Sequence, residues 1–116
     1  MAMVGIGAAG IGSSAALLDA LALGPAERAE LEAGGAVGDV CCRYYDLDGN
    51  EVRSVVNQRV LAVTLDDLRA IPTVAGVAAG PEKAPGILGA LRGGIIDVLI
   101  CDQQAARTVL RLDGGT

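Results

Sequence analysis

At 116 residues the chain has room for one domain with one modest core, near the size at which burial only just offsets chain entropy. Hydrophobic residues make up 52%, yet Phe and Trp are absent and only Tyr44 and Tyr45 are aromatic, so the core must be filled by Ala, Val, Leu and Ile. The net charge of -5, with no basic cluster, excludes the electrostatic footprint that contact with a phosphate backbone requires.

No apolar run approaches the roughly 20 residues a membrane-spanning helix needs. Met1 to Gly7 lacks the basic region of a signal peptide, so the cytoplasm is the expected location. Such high aliphatic content with few charges suggests strands buried on both faces, or a surface meant to be covered by more protein. Cys41, Cys42 and Cys101 are an odd count with no paired spacing, and without His they match no zinc pattern; buried free thiols are the expected state.

Val4 to Gly7 reads as the end of a buried strand running into a Gly-rich loop, Ala8 to Gly12. Ser13 is a good N-cap for a helix over Ala15 to Leu23, and Gly24-Pro25 stops it and opens a second helix, Pro25 to Ala33, closed by Gly34-Gly35. Val37 to Tyr45 and Glu51 to Val56 are strand-like. Asp48-Gly49 between them can supply the positive φ of a tight turn, which predicts a β-hairpin insertion, with Cys41 and Cys42 on opposite faces of its first strand.

Arg59 to Val63 reads as a strand. Thr64 then caps Leu65 to Ala70, with Asp67 approximating a capping box and Pro72 marking the end. Thr73 to Ala78 is a further strand, followed by a helix from about Pro85 to Arg92 that Gly93-Gly94 closes. Ile95 to Ile100 is a strand of the central type; Asp102 or Gln103 starts a last helix through Leu112, and 113–116 is a flexible tail. Strands alternating with helices predict the α/β class, with a mostly parallel sheet flanked by helices.

In open parallel sheets ligands bind beyond the carboxyl ends of the strands, here the loops after Ile6, Ala78 and Ile100. Gly5-Ile6-Gly7-Ala8-Ala9-Gly10 matches the spacing of a dinucleotide fingerprint, but in a Gly-rich chain such a match arises easily and no acidic residue closes a strand about 20 residues on. A loop packed tightly against neighbouring backbone explains it better, and no cofactor is expected. Ala78 to Lys83, including Gly80, ends a strand, opens a helix and adds a cation to helix-start amides, which suits a phosphate or a sugar hydroxyl. Most lysines are simply exposed, so a solvated Lys83 beside Glu82 is the competing reading.

Asp39, between glycines, can read a ligand or simply bond nearby turn amides. Asp46, Asp48 and Glu51 fall short of a calcium loop and fit a turn, and Asp66-Asp67 fits charge at a helix start, so no metal site is expected. Without His the usual base for nucleophilic catalysis is missing; carboxylate-lysine chemistry through Asp39 and Lys83 stays open.

Gly35-Ala36-Val37-Gly38-Asp39, followed by Arg43, Tyr44, Tyr45 and Asp46, resembles the signature stretch of the sugar-binding effector domain of SorC-type bacterial transcription regulators. The likeness continues in order through Val4 to Gly7, Arg59 to Pro72, Val74 to Ala84, Ala90 to Gly94 and Asp97 to Asp102. It implies a fold similar to ribose-phosphate isomerase and the CoA transferases. It also implies non-catalytic contacts of a sugar or phosphosugar with Asp39 and Lys83, the loop glycines Gly5, Gly7 and Gly80 close by, and a homo-oligomer that reaches DNA only through a separate helix-turn-helix.

By this resemblance residues 1–112 are the C-terminal part of the effector domain, with the helix-turn-helix and the family's Gly-Thr-rich phosphate loop preceding them. The chain departs from the family pattern at Cys42, where Gly is expected, at Ala79-Gly80 in place of Gly-Gly, and at Pro81 and Pro85 around Lys83. A sugar-phosphate enzyme of the same fold, or an assembly module without a ligand, remain the alternatives.

Overall fold

A computed structural model of the chain describes residues 1–9, 19–20, 22–52 and 61–114. The expected N-cap at Ser13, most of the first helix, and the strand residues 53–60 lie outside these.

Among the described residues the chain forms two three-stranded sheets. Strands β1 (Ala2–Gly5), β5 (Val74–Ala78) and β6 (Val98–Cys101) form a parallel sheet in the order β1-β5-β6, with Gly5 opposite Val77 and Ala78 opposite Cys101. Strands β2 (Gly7–Ala8), β3 (Gly38–Val40) and β4 (Arg43–Tyr45) form an antiparallel sheet, with Asp39 opposite Gly7 on one side and Tyr44 on the other. The α/β class and its parallel sheet follow the alternation read from the sequence, and the hairpin insertion is present.

The helices that lie wholly within the described residues are α1 (Pro25–Ala33), α2 (Leu65–Ala70), α3 (Ala84–Arg92) and α4 (Gln103–Leu112). Local chemistry fixes their ends. Thr64 Oγ1 accepts from the Asp67 amide at 3.0 Å while the Asp67 carboxylate accepts from the Thr64 amide at 3.1 Å, the capping box expected there. Those bonds, backbone first, lower the Asp67 pKa, with Arg43 adding to the effect. Asp102 caps α4 by accepting from the Ala105 amide at 3.0 Å.

Two expectations need correction. Val37 to Tyr45 is not one strand: it folds back at Cys41-Cys42, whose φ values of +51° and +65° are those of the two central residues of a tight hairpin turn. Cys side chains carry no turn signal, which is why the sequence reads straight through them. The Asp46 to Asn50 turn forms as expected, with Gly49 at φ +83°, and leads into a bridge between Tyr45 and Glu51; residues 53–56 of the expected return strand lie outside the described residues. Residues 61–63 of the expected strand at Arg59 to Val63 are not in a strand; Arg43 holds them instead, donating to the Ala62 and Val63 carbonyls at 3.0 and 3.3 Å.

Strand β4 splits the core. Tyr45 joins Ile6, Val40, Ile87, Ile95 and the inner faces of α3 and α4, while Tyr44 joins Leu23, Leu31 and Val52 in a second cluster beside α1. The opposite face of the parallel sheet is open among the described residues: Met3, Val77, Val98 and Ile100 are 66%, 38%, 45% and 49% exposed.

Candidate functional site

The chain crosses from one sheet to the other at a single residue. The amide of Ile6, itself buried, donates to the Val77 carbonyl at 3.2 Å, so the parallel ladder runs one residue past β1, and Gly7 then pairs with Asp39 in the antiparallel sheet. The carboxyl edge of the parallel sheet and the strand carrying Asp39 are therefore neighbours.

Asp39 is half-buried at the centre of β3, on the sheet face it shares with Tyr44. Its carboxylate lies across the Cα of Gly7: a methyl group built on Gly7 would overlap Asp39 Oδ1 and sit 3.1 Å from its carboxyl carbon. Gly7 thus supplies the space the Asp39 side chain occupies. Gly5 differs, since a methyl group there meets nothing within 4 Å, and Gly5 faces open space at the sheet edge.

The loop after β5 resolves the crowding of prolines. Pro81 to Lys83 form one 3-10 turn, and the α-helix restarts at Ala84, which places Pro85 in a first turn where its missing amide costs nothing. Gly80 enters that turn at φ +99°, a conformation open to glycine and strained for other residues, and its amide points at the Asp102 carboxylate, 3.3 Å from each oxygen. Asp102 therefore joins the loop after β5 to the cap after β6. The sequence marks it as a helix start and gives no sign of this second bond.

The 3-10 turn packs against β2 and against α4. Lys83, the last residue of that turn, is half-buried, and among the described residues its ammonium has no hydrogen-bond or ion-pair partner. Asp39 and Lys83 thus belong to elements that both touch β2, and they do not form an ion pair with each other.

Three glycines bring α3 onto the antiparallel sheet. A methyl group on Gly38 would lie 2.7 Å from both the Gly7 carbonyl and the Gly86 Cα, and one on Gly89 would lie 2.5 Å from the Asp46 carbonyl. The Tyr45 hydroxyl donates to the Gly86 carbonyl at 2.7 Å inside this contact. Burial, helped by the Asp39 charge, raises the Tyr45 pKa, so the phenol stays neutral. Burial, with Cys42 and Asp39 adding to it, likewise raises the Cys41 thiol, which makes it a poor nucleophile. All three cysteines are free.

Asp46 Oδ1 accepts from the Asp48 and Asn50 amides at 3.0 and 2.9 Å, closing the turn, and no metal-ligating cluster exists among the described residues. No helix among them is long and apolar enough to cross a membrane.

The family described as "Putative sugar-binding domain" matches residues 1–111. The chain belongs to the sugar-binding domains of SorC-type transcription regulators. The LsrR transcriptional regulator of an Enterobacter species is 38% identical over 114 residues, which are 97% of this chain and 35% of that protein. The full-length sorbitol operon regulator SorC of Klebsiella pneumoniae superposes with a TM-score of 0.80 at 34% identity, covering 93% of this chain and 34% of that one. A transcriptional regulator from Streptococcus pneumoniae gives 0.83 at 34% identity, covering 97% and 42%. The SorC-type chain thus spans about a third of the length of such curated relatives. Position 42, where the resemblance leads to an expected Gly, has φ +65°, a conformation that glycine adopts without strain.

Proposed function

We propose that this chain is the ligand-sensing part of a cytoplasmic transcription regulator, binding a sugar or phosphosugar without transforming it. The observation that carries the reading is the placement of Asp39: a carboxylate laid over Gly7, in the strand next to the carboxyl edge of a parallel sheet, with the ammonium of Lys83, unpartnered among the described residues, on the turn packed against β2. A carboxylate there accepts bonds from vicinal hydroxyls and the lysine pairs with an anionic group, while Gly5, beside open space, leaves its backbone accessible to a ligand, with Gly7 and Gly80 close by. Binding without catalysis agrees with relatives named as transcription regulators and with a chain lacking His.

Calorimetric titration of the intact protein with pentoses, hexoses and their monophosphates tests the reading. Asp39→Asn should weaken binding of the responding sugar at least tenfold, and Lys83→Ala should weaken phosphorylated ligands more than neutral ones. Unchanged affinity in both variants would remove the site; conversion of the ligand during the titration, lost with Lys83→Ala, would favour a sugar-phosphate enzyme. The open face of Met3, Val77, Val98 and Ile100 favours an oligomer of this chain or cover by further protein, and light scattering on the intact protein measures which.

A further inference from the structure

Four of the arginines in the described residues answer to carboxylates: Arg28 to Asp19, Arg43 to Glu51, Arg69 to Asp66, and Arg92 to Asp48 and Asp113. Arg107 and Arg111 have no such partner among the described residues, although the chain carries 14 Asp and Glu. They stand one turn apart on α4, where like charges repel. With Gln104 and Thr108 they form one stripe of the helix, beside the buried Ala105 and Val109. That stripe and Pro81 line a cleft of about 330 Å³, of the size that holds a small ligand.

The geometry points to a second site in this cleft, for a ligand bearing a phosphate group, separate from Asp39. Two guanidinium groups at the spacing of one helical turn match a doubly charged oxyanion, to which each donates in pairs, and the Gln104 carboxamide adds a neutral donor. The Thr108 hydroxyl already donates to the Gln104 carbonyl at 2.8 Å, so it shapes the wall and does not hold the anion. A bound phosphate relieves the Arg-Arg repulsion that the fold otherwise carries. Pro81 is the first residue of the turn that ends at Lys83, so the ligand rests against the outer wall of that turn.

The test is titration of the intact protein with inorganic phosphate, and separately with acetate, at constant ionic strength, followed by calorimetry. Phosphate should bind saturably and at least tenfold more tightly than acetate. The double variant Arg107→Gln, Arg111→Gln changes only exposed side chains, so it should fold normally and lose phosphate binding at least tenfold, while the ion-paired control Arg28→Gln keeps it. Absence of saturable binding, equal affinity for acetate, or an equal loss in Arg28→Gln would overturn the proposal. So would a double variant that binds phosphate normally but changes oligomeric mass, which would assign the pair to an interface between copies. The sugar titration reads Asp39 and this one reads the arginines, so either site can fail alone.

Discussion

Gly7→Ala isolates the Asp39 carboxylate from the rest of the fold. Gly7 lies in an ordinary extended strand without a positive φ, so alanine suits its backbone, and the whole cost falls on the group its methyl meets. That group is Asp39 Oδ1, which must swing away. Leaving its preferred rotamer costs about 0.5–1.5 kcal/mol, a small part of the stability of a domain this size. A ligand that depends on the carboxylate loses more: a hydrogen bond to a charged group contributes about 1.5–3 kcal/mol, which at 1.4 kcal/mol per decade is roughly a 10- to 150-fold rise in Kd. Calorimetry with the responding sugar gives Kd, and urea unfolding gives stability. Gly5→Ala is the control, since its methyl meets nothing within 4 Å and should leave stability unchanged. A Gly7→Ala protein that binds sugar as the parent does would refute the role of Asp39 in the site.

Cys42→Gly should stabilise the protein. Left-handed backbone costs a non-glycine residue about 1–2 kcal/mol, and glycine returns about 0.5–1 kcal/mol of that as chain entropy, leaving a net gain of roughly 0.5–1 kcal/mol and a Tm a few degrees higher. A lower melting temperature would refute strain at that turn. Tyr45 predicts an alkaline limit: its pKa is raised in the fold, so stability is complete below the unfolded value near 10 and falls by about 1.4 kcal/mol per pH unit above it, with the raised Cys41 thiol adding its own loss as the pH climbs past 9. Tyr45→Phe should remove the tyrosine part of that slope while costing about 1–3 kcal/mol at neutral pH, because the Gly86 carbonyl loses its buried donor; urea unfolding from pH 8 to 11 measures both, and an unaltered slope would show that another group sets the limit.

What the sequence showed plainly was local. Thr64 with Asp67, Asp102 before α4 and Gly24-Pro25 before α1 each satisfy helix-end amides or relieve them within four residues, so their meaning does not depend on the fold. The alternation that set the parallel sheet is also written in the chain order. The turn at Cys41-Cys42 was hidden because neither residue favours a positive φ by itself; the antiparallel register imposes it. Gly86, Gly89 and Gly93, spaced three and four residues apart, mark one face of a helix in the sequence. That face meets Gly38, the Asp46 carbonyl and Gly49, and only the packed structure shows what it fits. Arg107 and Arg111 likewise share a helical face in sequence, but their lack of acidic partners is a property of the fold.

The Gly5-Ile6-Gly7 stretch shows how the candidate site depends on both sheets. Its spacing imitates a phosphate-binding fingerprint, yet its two glycines do different things: Gly7 yields its side-chain space to Asp39, and Gly5 borders solvent. Ile6 between them is bonded to β5 through its amide and is 1% exposed in the main core. A ligand that pulls on Asp39 therefore pulls on β2, and β2 is continuous through Ile6 with the edge where the Gly80 and Asp102 loops meet. Close packing around Ile6 and the glycine contacts of α3 leave that connection little slack, so a small displacement of the carboxylate must be passed on to the turn holding Lys83 or resisted by it. This is the physical basis for expecting a binding event at Asp39 to be felt beyond the strand that carries it.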